Sequence, residues 1–421
     1  MVYKNKGITL IALVITIIVL LILAGVSIAM LTGENGVLTK AESAKTETEK
    51  ASAKEKAQLA ILGSYDNSGK LNLDQLKEEV TNQGGTVTGD TFPVTVSMDG
   101  HDFIVDSNGN VTEKKKLADI TGDETANTVT QDSLGNPITI PAGFEVVNPT
   151  DNVTDGIIIK DKTHTATAGS EFVWIPVGTI KTDNNGGTKT IKLSRYTFDE
   201  TTGAPTDQGD AAITSESYNY QELASSGKGN TVAKDIEVFK AKANASHGYY
   251  LARYEARDKD TTTGRTDSTS DTNQVVCTPD NYVYNYVTQI QAADLSRKMY
   301  TDSNFESDLV NSYAWDTAIV FLQEFDNRAD KTKAYSKQDS LNSSLASTGT
   351  NNSTTKDTIC NIYDMASNCL EYSTETTSSS IYPCVTRGGN YIDSSRYTSV
   401  RGVYTTSFVY DDASFRPVLY L

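Results

Sequence analysis

Four cysteines, Cys277, Cys360, Cys369 and Cys384, and three histidines, His101, His164 and His247, are all the thiols and imidazoles in 421 residues. No Cys-x-x-Cys pair occurs, so the spacing of a zinc ribbon or a thioredoxin-type redox site is missing. The histidines lie far apart in sequence, which gives no basis for a facial metal-ligand set, and each reads as a structural or solvated side chain. If oxidised, four cysteines allow three pairings. A denser store of interaction chemistry lies near the C-terminus. Residues 390 to 414 hold Tyr391, Tyr397, Tyr404 and Tyr410 together with five serines, Asn390, Asp393, Asp411 and Asp412. Tyrosine offers a large amphipathic contact at low entropy cost, and Ser, Asn and Asp offer adaptable hydrogen bonds, the mixture that binding loops use. The candidate ligand contacts are Asn390, Tyr391, Asp393, Ser394, Tyr397, Arg401, Tyr404, Tyr410 and Asp411. A glycan or a protein would suit this composition equally.

The remainder of the chain must position that segment. With 37 Lys+Arg against 54 Asp+Glu the net charge is −17, which repels a phosphate backbone, and no nucleic-acid partner is expected. A hydrophobic fraction of 38% with 22 tyrosines describes a polar, folded chain and excludes general disorder. Ile8 to Leu31 is an uncharged apolar run preceded by Lys4 and Lys6. As a helix it would be ~36 Å long against a ~30 Å hydrocarbon core, so the sequence predicts a membrane span with the N-terminus cytoplasmic and the bulk of the chain outside. The run is too long for the ~7 to 15 apolar residues of a cleaved secretory signal.

The stretch Lys6-Gly7-Ile8-Thr9-Leu10-Ile11-Ala12-Leu13-Val14 resembles the N-terminus of type IV prepilins and pseudopilins, a likeness covering roughly the first 60 residues. It implies cleavage between Gly7 and Ile8, N-terminal methylation, and packing with other pilin-like subunits. The family's Glu five residues after the cut is replaced by Ala12, which puts efficient polymerisation in question.

The chain is expected to comprise a basic leader (1–7), a hydrophobic helix and charged stalk (8–62), a small α+β head (63–116), a linker (117–137) and one large unit (138–421). In the head, Asn72 and Gln75 make a capping box ahead of the stripe Leu73, Leu76 and Val80. Val94, Val96 and Met98, then Asp99-Gly100, then Phe103 and Val105 spell a hairpin. In the large unit, helices are expected through Ala292, Leu295 and Met299 and through Ala314, Trp315, Ala318 and Phe321, with a terminal strand at Val418 to Leu421. Residues 199 to 235, 258 to 274 and 342 to 356 read as polar loops.

Several blocks occur in order: Phe172-Val173-Trp174-Ile175-Pro176, Tyr249-Tyr250-Leu251-Ala252-Arg253-Tyr254-Glu255, Tyr363-Asp364-Met365-Ala366-Ser367-Asn368-Cys369-Leu370-Glu371-Tyr372, Arg387-Gly388-Gly389-Asn390-Tyr391 and Phe415-Arg416-Pro417. As a set they resemble the formylglycine-generating-enzyme (sulfatase-modifying factor) family over about 280 residues. The resemblance implies an α+β architecture ending in a large, irregular C-type-lectin-like domain. It also implies a structural calcium ion near Asn368 and Glu371, although Ser367 stands where glycine is usual, and a disulfide between Cys369 and Cys384 with Cys360 as rival. The oxidase members need a reactive Cys pair between the Arg-Gly-Gly and Phe-Arg blocks, and this chain has no Cys after Cys384. No catalysis is therefore expected. In some lectin-fold proteins the C-terminal segment is the ligand surface, in a subset genetically diversified. The leading expectation is a cell-surface, pilin-like or membrane-anchored display protein presenting a non-catalytic ligand-binding domain for recognition or adhesion. The alternatives are a formylglycine-generating-type enzyme with an unconventional site, or a structural pseudopilin of a secretion or uptake machine.

Overall fold

The computed structural model describes residue 18 and residues 37–183, 185–215, 217–222, 235–260, 264–265, 274–301, 304–325, 344–349, 358–393 and 396–421. Two compact units divide the chain, Met1–Lys114 and Lys115–Leu421.

In the first unit helix α1 (Val37–Leu62) is Lys/Glu-rich. Its buried residues Ala53, Ala57, Ala60 and Ile61 fall at helical spacing on one face, where small side chains let the sheet approach closely. Helix α2 (Leu73–Asn82) starts where the Asn72 side chain accepts hydrogen bonds from the N–H groups of Asp74 and Gln75, and it buries Leu76 and Val80. Strands β1 (Thr86–Thr88), β2 (Val94–Met98), β3 (His101–Val105) and β4 (Val111–Glu113) form one antiparallel sheet in that order. Val94, Val96, Met98, Phe103 and Val105 point into this unit's core.

The expected membrane helix is not found among the described residues. No helix among the described residues is long and apolar enough to cross a membrane, and the longest, α1, carries charges through its length. Ile8 to Leu31, apart from Ile18, and the processing pair Gly7 and Ile8 lie outside the described residues. Among the described residues no element carries the transmembrane, prepilin-type part of the expected architecture.

The second unit is built on two six-stranded sheets. In chain order their strands are β5 (Phe144–Val146), β6 (Ile158–Asp161), β7 (Glu171–Pro176), β8 (Ile213–Thr214), β9 (Asn219–Gln221), β10 (Gly248–Ala252), β11 (Glu306–Leu309), β12 (Leu370–Thr377), β13 (Cys384–Arg387), β14 (Arg401–Tyr404), β15 (Ala413–Phe415) and β16 (Pro417–Tyr420). One sheet runs β11-β16-β10-β7-β6-β5, so the last strand of the chain sits between two others and buries Val418, Leu419 and Tyr420. The other runs β8-β9-β12-β13-β14, with β15 parallel to β12. Helix α3 (Ile236–Ala245) packs on β10 and β16. Helix α4 (Gln289–Met299) opens with a reciprocal box in which Gln291 N–H donates to Thr288 Oγ1 (3.3 Å) and Thr288 N–H to Gln291 Oε1 (2.8 Å). Helix α5 (Ser312–Phe325) is almost wholly buried and carries Trp315 and Asp316.

The fold class also departs from the α+β, C-type-lectin-like expectation. With 26 strands against five α-helices among the described residues, the protein is mostly β. Part of the reason is a turn that recurs four times: Asp66-Asn67-Ser68-Gly69-Lys70, Asp106-Ser107-Asn108-Gly109-Asn110, Asp132-Ser133-Leu134-Gly135-Asn136 and Asp183 to Gly187. In each, the Asp carboxylate accepts a backbone N–H two residues on and another four residues on. The glycine at the fourth position takes φ between +78° and +93°, a region open to Gly at little cost. These turns close the 101–105/111–113, 128–131/137–140 and 178–181/188–191 hairpins, so polar sequence with few apolar residues still forms sheet. The segment read as a linker, 117–137, contains Thr128–Gln131 paired with Pro137–Ile140 and belongs to the second unit.

Candidate functional site

Residues 387 to 416 begin and end on buried arginines. Arg387, at the end of β13, donates from Nη2 to Asp316 Oδ1, from Nη1 to Glu375 Oε2 (3.2 Å) and from Nε to Val400 O (3.2 Å). Arg401 on β14 donates from Nη2 to Asp316 Oδ2 (2.6 Å) and from Nε to both Glu375 oxygens (2.9 and 3.0 Å). Arg195 adds a third guanidinium to Glu375 Oε1 (2.5 Å). Burial works to raise the Glu375 carboxyl, but Arg401, Arg195 and Arg387 together bring it down to about 2. At the other end Arg416 donates from Nε (2.9 Å) and Nη2 (2.6 Å) to the two oxygens of Glu371, and from its remaining N–H groups to the carbonyls of Ala252 and Tyr363. Between the arginines, Gly388 has φ +80°, and a Cβ there would lie 2.6 Å from Met365 O. A Cβ on Gly389 would collide with Ala366 O. Here the Arg-Gly-Gly block threads one backbone against another. Trp315 Nε1 donates to Thr398 O (2.9 Å), pinning the middle of the segment to α5.

On this clamped frame sits a run of aromatic rings. Tyr404 and Phe408 stack with centroids 3.8 Å apart, and Phe408 meets Tyr410 at 4.5 Å. Tyr372 OH donates to Phe408 O (2.8 Å), while Tyr286 N–H donates to Tyr410 O and Asn285 Nδ2 to Asp411 O. The rings are therefore held from below by backbone contacts. Tyr410 is 54% and Ile392 59% exposed. Tyr391 OH donates to Asp411 Oδ2 (2.8 Å), Asn390 Nδ2 to Asp412 Oδ2 (2.6 Å), and Arg396 Nη2 to Tyr404 OH (3.1 Å).

The structure brings together Tyr391, Tyr404, Tyr410 and Asp411 of the expected contacts, with Asp393 and Tyr397 half-buried in the same segment. Ser394 lies outside the described residues. Arg401 is corrected from contact to support: it is turned inward onto Glu375 and Asp316. Asn390 is almost fully buried and acts through Asp412. Phe408, Arg396 and Ile392 escaped the sequence reading, although the spacing Tyr404, Phe408, Tyr410 was a visible aromatic signal.

Asn368 and Glu371, the expected calcium ligands, are engaged within the protein. Glu371 is paired with Arg416, and Asn368 donates to Glu255 and accepts from Ala346 N–H. Burial, then Asp364 and Glu371, push the Glu255 carboxyl well up. The Arg416 guanidinium already occupies both Glu371 oxygens, and among the described residues no group of three His, Cys, Asp or Glu is placed to hold a metal. As placed, the donor set does not fit the ion.

Among the described residues the cysteines are thiols and no disulfide joins Cys369 to Cys384. Register explains this. β12 and β13 pair Glu371 with Arg387 and Thr376 with Cys384, so Cys369 lies beyond the far end of the pairing, roughly 15 Å or more away at ~3.3 Å per residue. A disulfide needs Cα atoms within about 7 Å.

No protein-family model matches the chain, and no curated protein matches it. Solved structures that resemble it include that of CarF, 14% identical over 41% of this chain and 87% of that one with a TM-score of 0.28. Another is Treponema denticola variable protein 1, 12% identical over 62% of this chain and 99% of that one with a TM-score of 0.30. Neither likeness is close enough to carry an assignment.

Proposed function

We propose that the second unit is a non-catalytic recognition unit whose ligand rests on the face made by Tyr391, Tyr404, Phe408 and Tyr410. The observation that supports this most is the ring stack with Tyr410 more than half exposed, on a segment bounded by buried ion pairs at Arg387 and Arg416. Exposed aromatic surface held by its own backbone is pre-organised, so little entropy is lost on binding. Two of the thiols favour the same reading. Burial pushes Cys277 up to about 12 and Cys369 well above its ordinary value, the opposite of what a nucleophilic or metal-binding thiolate needs.

The test is an array carrying oligosaccharides and short peptides, probed with the full chain and with a Tyr404→Ala/Tyr410→Ala double variant. A control double variant, Ile381→Ala/Tyr382→Ala, removes exposed apolar side chains from the β12–β13 turn. The reading expects capture of at least one class of probe, lost in the first variant and kept in the second. Capture that survives the loss of Tyr404 and Tyr410 overturns it.

A further inference from the structure

Throughout the second unit the chain lays its own cations over tyrosine rings. Lys240 Nζ lies 5.0 Å from the Tyr313 centroid, Lys242 Nζ 5.5 Å from Tyr420, and the Arg265 guanidinium 4.1 Å from Tyr284. A cation over such a ring is attracted by its negative face. Among the described residues no cation of the chain lies over Tyr410, although its ring is the most exposed of the stack.

The charges around that ring leave a matching demand. Arg396 is committed to Asp393 (3.4 Å) and to the Tyr404 hydroxyl, and Arg401 is buried in the ion-pair network. Asp411 and Asp412 follow Tyr410 directly. Each has one carboxylate oxygen held by a neutral donor, Tyr391 OH and Asn390 Nδ2, and neither donor cancels the charge. Burial, aided by Asp411, raises the Asp412 carboxyl in spite of the Asn390 hydrogen bond and the charge of Arg396. A cation arriving here would relieve that repulsion. The net charge of −17 steers cations towards the chain and anions away.

We propose that the occupant of this face is a cationic peptide segment of a partner protein, with a lysine or arginine head group seated over Tyr410 and beside Asp411 and Asp412. This rests on the recognition reading above and names the ligand class. Tyr391 and Asn390 hold the two carboxylates in place, and the Tyr404–Phe408 stack supports the ring from behind. The partner's apolar side chains would cover Ile392 and the edge of the stack.

The experiment is a titration of the full chain with three fluorescent octapeptides of one scaffold, bearing lysine, acetyl-lysine or glutamate, and with a neutral oligosaccharide, at low and high salt. The lysine peptide is expected to bind roughly tenfold or more tighter than the acetylated one, and more weakly as salt rises. Tyr410→Leu, which keeps an apolar side chain but removes the ring, and Asp411→Asn should each lose most of that preference, whereas Tyr410→Phe should keep it. Asp90→Asn, an equal loss of charge in the first unit at a fully exposed position, should change nothing. Equal effects of Asp411→Asn and Asp90→Asn would reduce the binding to bulk charge and overturn the proposal. Binding of the oligosaccharide or the glutamate peptide that is lost in Tyr410→Leu, without preference for lysine, would overturn the cationic ligand and leave the recognition face intact. No dependence of any binding on Tyr410 would overturn both.

Discussion

The ring of Phe408 lies 3.8 Å from that of Tyr404 with 26° between their planes, although only Tyr404 was marked by its sequence context. Phe408 also packs against the core of the second unit, so it is both a support and part of the face. Phe408→Ala is expected to cost about 1–3 kcal/mol and to abolish binding, since a half-buried ring and its stacking are lost together. Tyr410→Ala should stay within about 0.5 kcal/mol of the parent while still abolishing binding. Urea denaturation beside the binding assay separates the two.

Glu375 joins three guanidinium groups, and its removal leaves Arg387 and Arg401 sharing Asp316 and takes from Arg195 its ion pair. Glu375→Gln should destabilise the second unit by about 3–5 kcal/mol, the usual cost of uncompensated buried charge. The carboxyl is lowered to about 2 in the folded chain from an ordinary 4.5. Its contribution is therefore complete above about pH 4.5 and is lost as pH falls towards about 2. Acid titration of stability, with the variant as comparison, reads this directly.

Glu222 behaves with the opposite sign. Burial and the neighbouring Glu375 carboxylate push it up to about 7, against the Ser312 N–H and Thr374 hydroxyl that donate to it. The folded value lies above the unfolded one, so the unfolded chain gives up this proton first. Stability from this group is greatest below about pH 4.5 and falls as pH rises to about 7. Glu222→Gln should flatten the stability profile across that window in a series of denaturation curves. An unchanged slope would show that Glu222 is ionised in the fold.

Asp132 is the buried member of the four recurring turns. Its carboxylate accepts from the N–H groups of Leu134, Asn136 and Val153 and from the Asn136 amide. Asp132→Ala strands several of these donors and is expected to cost about 2–4 kcal/mol. Asp183→Ala, in the exposed copy of the same turn, should cost under about 1 kcal/mol. Denaturation midpoints of the two variants decide whether burial sets the difference.

What the sequence disclosed was local. The Asp99-Gly100 hairpin, the helices through Leu295 and Trp315 and the strand at Val418 are written in period, cap and turn within a dozen residues, and each is present. Part of the mostly-β character was hidden because the Asp-x-x-Gly turns at Asp132 and Asp183 lie in polar stretches with little of the apolar alternation that marks a strand. Arg401 looked like a surface contact because its partners Glu375 and Asp316 lie 26 and 85 residues away. The Cys369–Cys384 pairing, taken from a family likeness, depended on a strand register that nothing near either cysteine specifies.

The most direct test of the recognition face is amide hydrogen exchange of the full chain with and without the array probe that it captures most tightly. Protection gathered at residues 390–393 and 402–412, with little change elsewhere in the second unit, is the predicted map. Protection that leaves those residues exchanging as in the unbound chain, and appears on another surface, would contradict the account.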